Sequence, residues 1–99
     1  MYEQLLTGAR ALQSQTVAMR RDIHREPELG LDLPRTRATV LDGLSGLDLE
    51  INLSQATTGL VAILRGARPG PNVLLRGDMD ALPMSEDTGL PYASRTPGR

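Results

Sequence analysis

Apolar residues recur at alternating intervals of four and three through the first part of the chain. This spacing places them on one face of a helix, and we expect that helix to run from Tyr2 to about Arg25. Pro27 disfavours the helical conformation in the residue before it, so the helix should end there. A second helix is predicted to begin near Pro34, because proline suits the first helical position. The positions on the predicted inner face of the first helix are Leu5, Ala9, Leu12, Thr16, Met19 and Ile23.

Three short segments have the alternation or the apolar content typical of strands, namely residues 48–53, 59–66 and 72–77. A Pro-Gly-Pro sequence separates the second from the third, which predicts an antiparallel hairpin between them. From Met79 to Arg99 no periodicity persists, and an irregular loop is expected. The predicted fold class is therefore α/β, with two N-terminal helices, three strands including a hairpin, and a loop.

Composition limits both the core and the partners of the chain. Its 99 residues include no Phe, no Trp and no Cys, so the core must be built from aliphatic side chains and no disulfide can form. Eleven basic residues nearly balance twelve acidic ones, which argues against steering towards nucleic acid. No apolar run approaches the ~20 residues of a membrane span, and the first residues lack the pattern of a secretory signal. We expect a cytoplasmic protein with no nucleic-acid or membrane partner.

The single histidine, His24, restricts the metal chemistry that this chain can support. A catalytic zinc site takes three protein ligands, drawn mostly from His, Asp, Glu and Cys. The chain offers carboxylates, but one imidazole and no thiolate. Any catalytic metal centre would need further ligands from elsewhere, and we expect no cofactor to be bound by this chain alone.

The sequence "RGDMDALP" places two aspartates, Asp78 and Asp80, directly after an apolar segment. Four interpretations compete. The carboxylates could accept hydrogen bonds from backbone N–H groups in a turn, or form the nucleophile and magnesium ligand of a phosphotransferase. "RGD" could be an adhesion motif, or one aspartate could orient a metal-bound histidine by accepting a hydrogen bond from its ring. The pair alone does not decide among them.

Three wider segments, "RRDIHREPELG", "TTGLVAILRG" and "RGDMDALPMSEDTGLPYASRTPG", occur in this order along the chain. Together they resemble the N-terminal part of the metal-dependent amidohydrolases, a zinc-peptidase-like family that includes hippurate hydrolase, N-acyl-amino-acid amidohydrolase and the auxin-conjugate hydrolases. The resemblance extends from about Val17 to Gly98. It implies that residues 1–99 are the N-terminal part of a catalytic domain, without the lid and dimerisation domain of that family.

The resemblance also implies a reaction, namely hydrolysis of the amide bond of N-acyl amino acids by a homo-oligomeric enzyme with a zinc or manganese centre. In that family the metal ligands follow in a Cys-Gly-His-Asp-Gly-His block, which this chain does not contain. Asp80 matches the aspartate that orients a metal-ligand histidine, and Asp78 is expected to be a supporting carboxylate. His24 matches a histidine of the first helix, for which packing and hydrogen bonding are the expected role.

Two departures from the family pattern stand out: Gly77 replaces a common Ala, and "GLDLPRT" replaces an acidic pair after "PELG". Neither changes the assignment. We therefore expect a fragment of an amidohydrolase that is inactive by itself. The alternative hypothesis is a non-catalytic remnant that acts only as a binding or regulatory piece.

Overall fold

A computed structural model describes residues 1–99 and contains two helices followed by two strands. The elements are α1 (Tyr2–Arg25), α2 (Pro34–Gly43), β1 (Glu50–Leu53) and β2 (Leu60–Ile63). The predicted α/β class is confirmed, α1 has the predicted bounds, and α2 begins at the predicted residue. No helix combines the length and the apolar character that crossing a membrane requires.

Only the C-terminal part of α1 is packed against the rest of the chain. Leu5 and Leu12, on the predicted inner face, are 64% and 55% exposed, whereas Met19 and Ile23 are half-buried. Met19 lies against Gly43 at the end of α2, so closely that a Cβ added to Gly43 would meet the Met19 Cε at 2.2 Å. The amphipathic face predicted from the sequence is therefore present, but most of it has no covering layer among these residues.

The start of α2 is stabilised by a side chain from outside the helix. Leu33, the residue before the helix, provides no side-chain cap. Instead Glu28 Oε1 accepts hydrogen bonds from the Thr36 backbone N–H at 2.6 Å and from its hydroxyl at 2.8 Å. Glu28 Oε2 accepts a longer bond of 3.3 Å from the Arg35 N–H. The negative charge lies at the positive end of the helix dipole, which favours the helix further.

Thr58 connects the start of β2 to the turn before α2. Its hydroxyl accepts a hydrogen bond from the Leu33 N–H at 2.7 Å and donates one to the Leu31 carbonyl at 3.0 Å. Its own backbone N–H also donates to the Leu31 carbonyl, at 3.0 Å. The small buried core forms around these bonds and consists of Pro27, Glu28, Leu33, Thr36 and Thr58.

The two strands form one antiparallel pair, in which Glu50 lies opposite Ile63 and Leu53 opposite Leu60. The hairpin therefore joins β1 to β2, and the predicted hairpin between residues 59–66 and 72–77 is wrong. Residues 72–77, predicted as the third strand, form no strand and no backbone hydrogen bonds. A strand is stable only beside a partner, and no other segment of the chain runs next to this one.

The exposed surface is large for a chain of this size. It measures 8,445 Å², whereas a folded monomer of this mass exposes about 5,500 Å². The radius of gyration is 16.0 Å, against about 13 Å expected for a compact domain of this length. Val73, Leu74 and Leu75 contribute to the excess, because each is at least 85% exposed. The chain thus buries less surface than a complete small domain.

Candidate functional site

The two aspartates singled out in the sequence lie on the surface, in the segment that follows the unpaired residues 72–77. Asp78 Oδ1 forms an ion pair with Arg76 at 2.7 Å, and both side chains are largely exposed. Asp80 is exposed and forms no hydrogen bond or ion pair within the chain. Neither carboxylate accepts a hydrogen bond from the backbone, so the turn-capping interpretation does not describe this structure.

The phosphotransferase interpretation also loses its structural basis. It requires an apolar strand that runs into the first aspartate, and residues 72–77 form no strand. The same absence affects the amidohydrolase interpretation in one respect, because Asp80 was expected at the end of a third strand. What holds this part of the backbone is a bond from the next residue, since the Ala81 N–H donates to the Glu28 carbonyl at 2.8 Å.

Asp80 borders a groove of about 740 Å³ between the C-terminal turns of α1 and the loop that follows Ala81. The groove is open to solvent and combines apolar and charged side chains. Its lining includes His24, Pro27, Met79, Leu82, Glu86 and Tyr92.

Glu86 lines this groove and accepts hydrogen bonds from three different residues. Its Oε1 lies 2.7 Å from His24 Nε2 and 2.9 Å from the Ser94 backbone N–H. Its Oε2 accepts a hydrogen bond from the Thr88 hydroxyl. An ionised carboxylate can only accept, so His24 Nε2 must carry the proton in this pair. The Glu86 side chain is 14% exposed.

These hydrogen bonds favour the ionised form of Glu86. The Thr88 hydroxyl contributes most, followed by the Ser94 N–H, while burial opposes them and His24 adds to them. The net effect holds the pKa of the Glu86 carboxyl below its ordinary value of 4.5. Glu86 is therefore an acceptor and not a proton donor at neutral pH, which does not fit a general acid.

Tyr92 completes the cluster from the other side of the loop. Its ring meets His24 edge to face, with centroids 5.8 Å apart and planes at 74°. The Arg21 guanidinium carbon lies 4.3 Å from the centre of the same ring, in the range of a cation–π contact. The Arg95 backbone N–H donates to the Arg25 carbonyl at 2.9 Å. One end of α1 thus holds both Tyr92 and the far end of the loop.

Curated relatives cover most of this chain but only a small part of their own length. An N-acetyldiaminopimelate deacetylase of Listeria monocytogenes is 40% identical over 83% of this chain and 22% of its own. An N-acetylcysteine deacetylase of Bacillus subtilis is 37% identical over 90% of this chain and 24% of its own. A Rhodococcus jostii protein carrying the name glutamate–cysteine ligase 2-3 is 45% identical over 87% of this chain and 11% of its own. No family model matches the chain.

Solved structures agree with the deacetylase relatives. The YXEP protein of B. subtilis, described as a dinuclear metal-binding peptidase of the M20 family, superimposes with a TM-score of 0.81 at 37% identity, over 90% of this chain and 25% of its own. The chain is a homologue of the metal-dependent amidohydrolases. A Staphylococcus aureus protein described as an aminohydrolase gives a TM-score of 0.90 at 31% identity, over 99% of this chain and 26% of its own. The family resemblance predicted from the sequence is confirmed.

The potential metal-ligating side chains of the amidohydrolase homologue are dispersed in the structure. No group of three or more His, Cys, Asp or Glu side chains lies close enough together to hold a metal ion. Its one imidazole is bonded to Glu86, and its aspartates at 78 and 80 share no partner. The residues present therefore do not fit a catalytic metal centre, and we derive no metal-dependent step from them.

His24 lies where the sequence predicted, packed and hydrogen-bonded at the end of α1. Its partners, Glu86 and Tyr92, were not predicted from the sequence, because they belong to the segment without periodicity. The sequence could only have indicated that the histidine at the helix end forms a hydrogen bond with some carboxylate. It contains twelve Asp and Glu residues and does not indicate which of them is the partner.

Proposed function

We propose that these 99 residues are the N-terminal part of the catalytic domain of an amidohydrolase that cleaves the amide bond of N-acyl amino acids. The observation that carries the proposal is the identity of 37–40% to two deacetylases whose names specify N-acetylated amino acids. The chain spans about a quarter of the length of these relatives or less. The lid and dimerisation domain of the family are not part of the proposed unit.

The proposed role of Asp80 is to accept a hydrogen bond from a histidine that binds the metal and so to fix the orientation of its ring. The Asp80 carboxylate is exposed and unpartnered, and the segment before it forms no strand. The role of Asp80 is therefore proposed from its match to the family pattern. Asp78 is proposed as a supporting carboxylate because the family pattern implies it, and its partner within this chain is Arg76. Metal ligands and the general base are assigned to polypeptide outside these residues, so the chain alone is proposed to be inactive.

The remaining properties of the proposed enzyme follow the family. The metal would be zinc or manganese, the substrate a small N-acyl amino acid, the assembly a homo-oligomer and the location the cytoplasm. A divalent metal held by residues outside this chain would supply Lewis-acid activation of water and of the substrate carbonyl.

A chimaeric enzyme tests this proposal. The aligned segment of the B. subtilis N-acetylcysteine deacetylase is replaced by the matching residues of this chain, and hydrolysis of N-acetylcysteine is measured with and without a chelator. We expect metal-dependent hydrolysis, and a loss of about 10–100-fold in kcat in D80N. The control D48N changes an exposed aspartate outside the groove and should leave kcat unchanged.

Three results would each contradict part of the proposal. An inactive chimaera beside an active parent would favour the non-catalytic alternative, in which the chain serves only as a binding or regulatory piece. Equal rates for D80N and D48N would remove the role of Asp80. Hydrolysis by the isolated chain would refute its proposed inactivity.

A further inference from the structure

Three residues at the end of α1 and one residue of the turn after it contact the loop that follows Asp80. Arg21, His24 and Arg25 belong to the last turns of α1, and Glu28 lies in the turn that follows the helix. Arg21 contacts the Tyr92 ring, and His24 is hydrogen-bonded to the Glu86 carboxylate. The carbonyl of Arg25 accepts from the Arg95 N–H, and the carbonyl of Glu28 accepts from the Ala81 N–H.

These contacts are what fixes the loop, because residues 81–95 contain no helix or strand. Its other hydrogen bonds are short-range, such as Ala93 N–H to Leu90 carbonyl and Met84 N–H to Leu82 carbonyl. Backbone bonds hold its two ends, at Ala81 and Arg95. Between them the one hydrogen bond that reaches α1 is the pair of His24 and Glu86.

Glu86 also organises the loop internally. The same oxygen that meets His24 accepts the Ser94 N–H, so one atom joins α1 to both arms of the loop. Loss of this carboxylate would therefore release the middle of the loop and leave Ala81 held by a single backbone bond. Asp80 is the residue directly before that bond.

We infer that the His24–Glu86 pair is a positioning element, which holds residues 81–95 on the end of α1 and thereby sets the place of Asp80. The importance of the position of Asp80 for catalysis rests on the proposed function. The positioning itself concerns only contacts within this chain.

Amide hydrogen exchange followed by NMR on the 99-residue chain tests the inference. In the wild type we expect protection of the Ala81, Ser94 and Arg95 amides. The variants E86A and H24A should each lower that protection by about tenfold, the effect of losing one charge-assisted hydrogen bond. The Thr36 amide, which is held by Glu28, should not change in either variant.

The conservative variant H24Q distinguishes the effect of the His24–Glu86 hydrogen bond from the effect of side-chain size at position 24. The Nε2 of glutamine lies as many bonds from the backbone as the Nε2 of histidine, so H24Q can still donate to Glu86 and should restore most of the protection at Ala81. The matched control is E50A, which removes a carboxylate that pairs with Arg65 at 2.8 Å on the sheet. That variant should leave all three loop amides as in the wild type.

Three outcomes overturn the inference: an unprotected Ala81 amide in the wild type, protection in E86A within twofold of the wild type, or an equal loss in E50A. In the chimaeric enzyme, H24A should lower kcat with KM within twofold, and H24Q should recover it. An inactive chimaera would count against the proposed function, whereas the exchange at Ala81 would still decide the positioning role.

Discussion

Glu28 gives the sharpest test of how this chain stabilises its second helix. The carboxylate accepts two short hydrogen bonds from buried Thr36 and a longer one from the Arg35 N–H, and Glu28 itself is 8% exposed. The variant E28A removes both carboxylate oxygens that accept these hydrogen bonds. E28Q is the companion variant, because it keeps one acceptor oxygen and removes the charge.

The expected cost follows from what the substitution leaves behind. In E28A the Thr36 N–H stays buried without an acceptor, which costs about 1–3 kcal/mol. The start of α2 also loses its negative charge, worth about 0.3–1 kcal/mol at a helix N-terminus. An isolated helix as short as α2, with 10 residues, is marginal in water, so we expect α2 to be largely lost in E28A. E28Q should fall between E28A and the wild type.

The same contact predicts a dependence on pH. Burial raises the pKa of Glu28, but the hydrogen bonds from Thr36 and the Arg35 N–H, together with the Arg35 charge, outweigh it and hold the pKa below 4.5. Because the carboxyl has a lower pKa in the folded chain than in the unfolded one, its stabilisation is complete above the unfolded value. That stabilisation is lost as the pH falls through the folded value.

Circular dichroism at 222 nm during urea unfolding, from pH 7 down to pH 3, measures the effect. The wild type should lose stability below about pH 4.5 more steeply than E28A does, since E28A lacks the group that titrates. E50A serves as the control, because Glu50 is half-exposed and its ion pair should contribute less than about 1 kcal/mol. The reasoning would be refuted if E28A and E50A had the same free energy of unfolding at pH 7. It would also be refuted if the free energies of unfolding of E28A and the wild type changed in parallel with pH.

Further predictions concern Thr58 and the unpaired segment 72–77. T58V should cost about 1–3 kcal/mol in urea unfolding, because the Leu33 N–H loses its acceptor, whereas T58S should keep that bond and cost less; equal losses would contradict the role of the hydroxyl. The double variant V73S/L75S should leave the unfolding free energy within about 0.5 kcal/mol, since both side chains are at least 87% exposed. It should also reduce self-association measured by light scattering, because an unpaired apolar segment is a site for strand addition; unchanged scattering would count against this account.

The helices could be predicted from the sequence because their signals are local. Pro27 and Pro34 restrict the backbone around themselves, and the structure ends α1 at Arg25 and begins α2 at Pro34. The cap of α2 was not predicted, because Glu28 reaches it from five residues before the normal capping position, Leu33.

Strand pairing could not be predicted in the same way, because an apolar segment does not reveal its partner. Residues 59–66 and 72–77 looked like a hairpin around a Pro-Gly-Pro turn, yet β2 pairs with β1 on its other side. Thr58 helps to explain the choice, since its bonds to Leu31 and Leu33 hold the start of β2 beside the turn before α2.

The candidate site was predicted in part. Asp78 and Asp80 were identified from the sequence, and their catalytic assignments stay predictions. His24 was expected to be packed and hydrogen-bonded, and its bond to Glu86 agrees with that expectation. The partnership of His24 with Glu86, 62 residues apart in the chain, depends on how the loop folds back. Nothing in the local pattern around Glu86 distinguishes it from its acidic neighbour Asp87.

The bare apolar stretch at Val73–Leu75 has a consequence for the life of the chain inside a cell. Chaperones and energy-dependent proteases bind unshielded aliphatic residues of this kind, and they compete with any polypeptide able to cover them. The steady-state amount of this protein would then depend on how quickly another polypeptide binds and shields these residues. Its rate of degradation would therefore reflect assembly more directly than the folding of the chain itself.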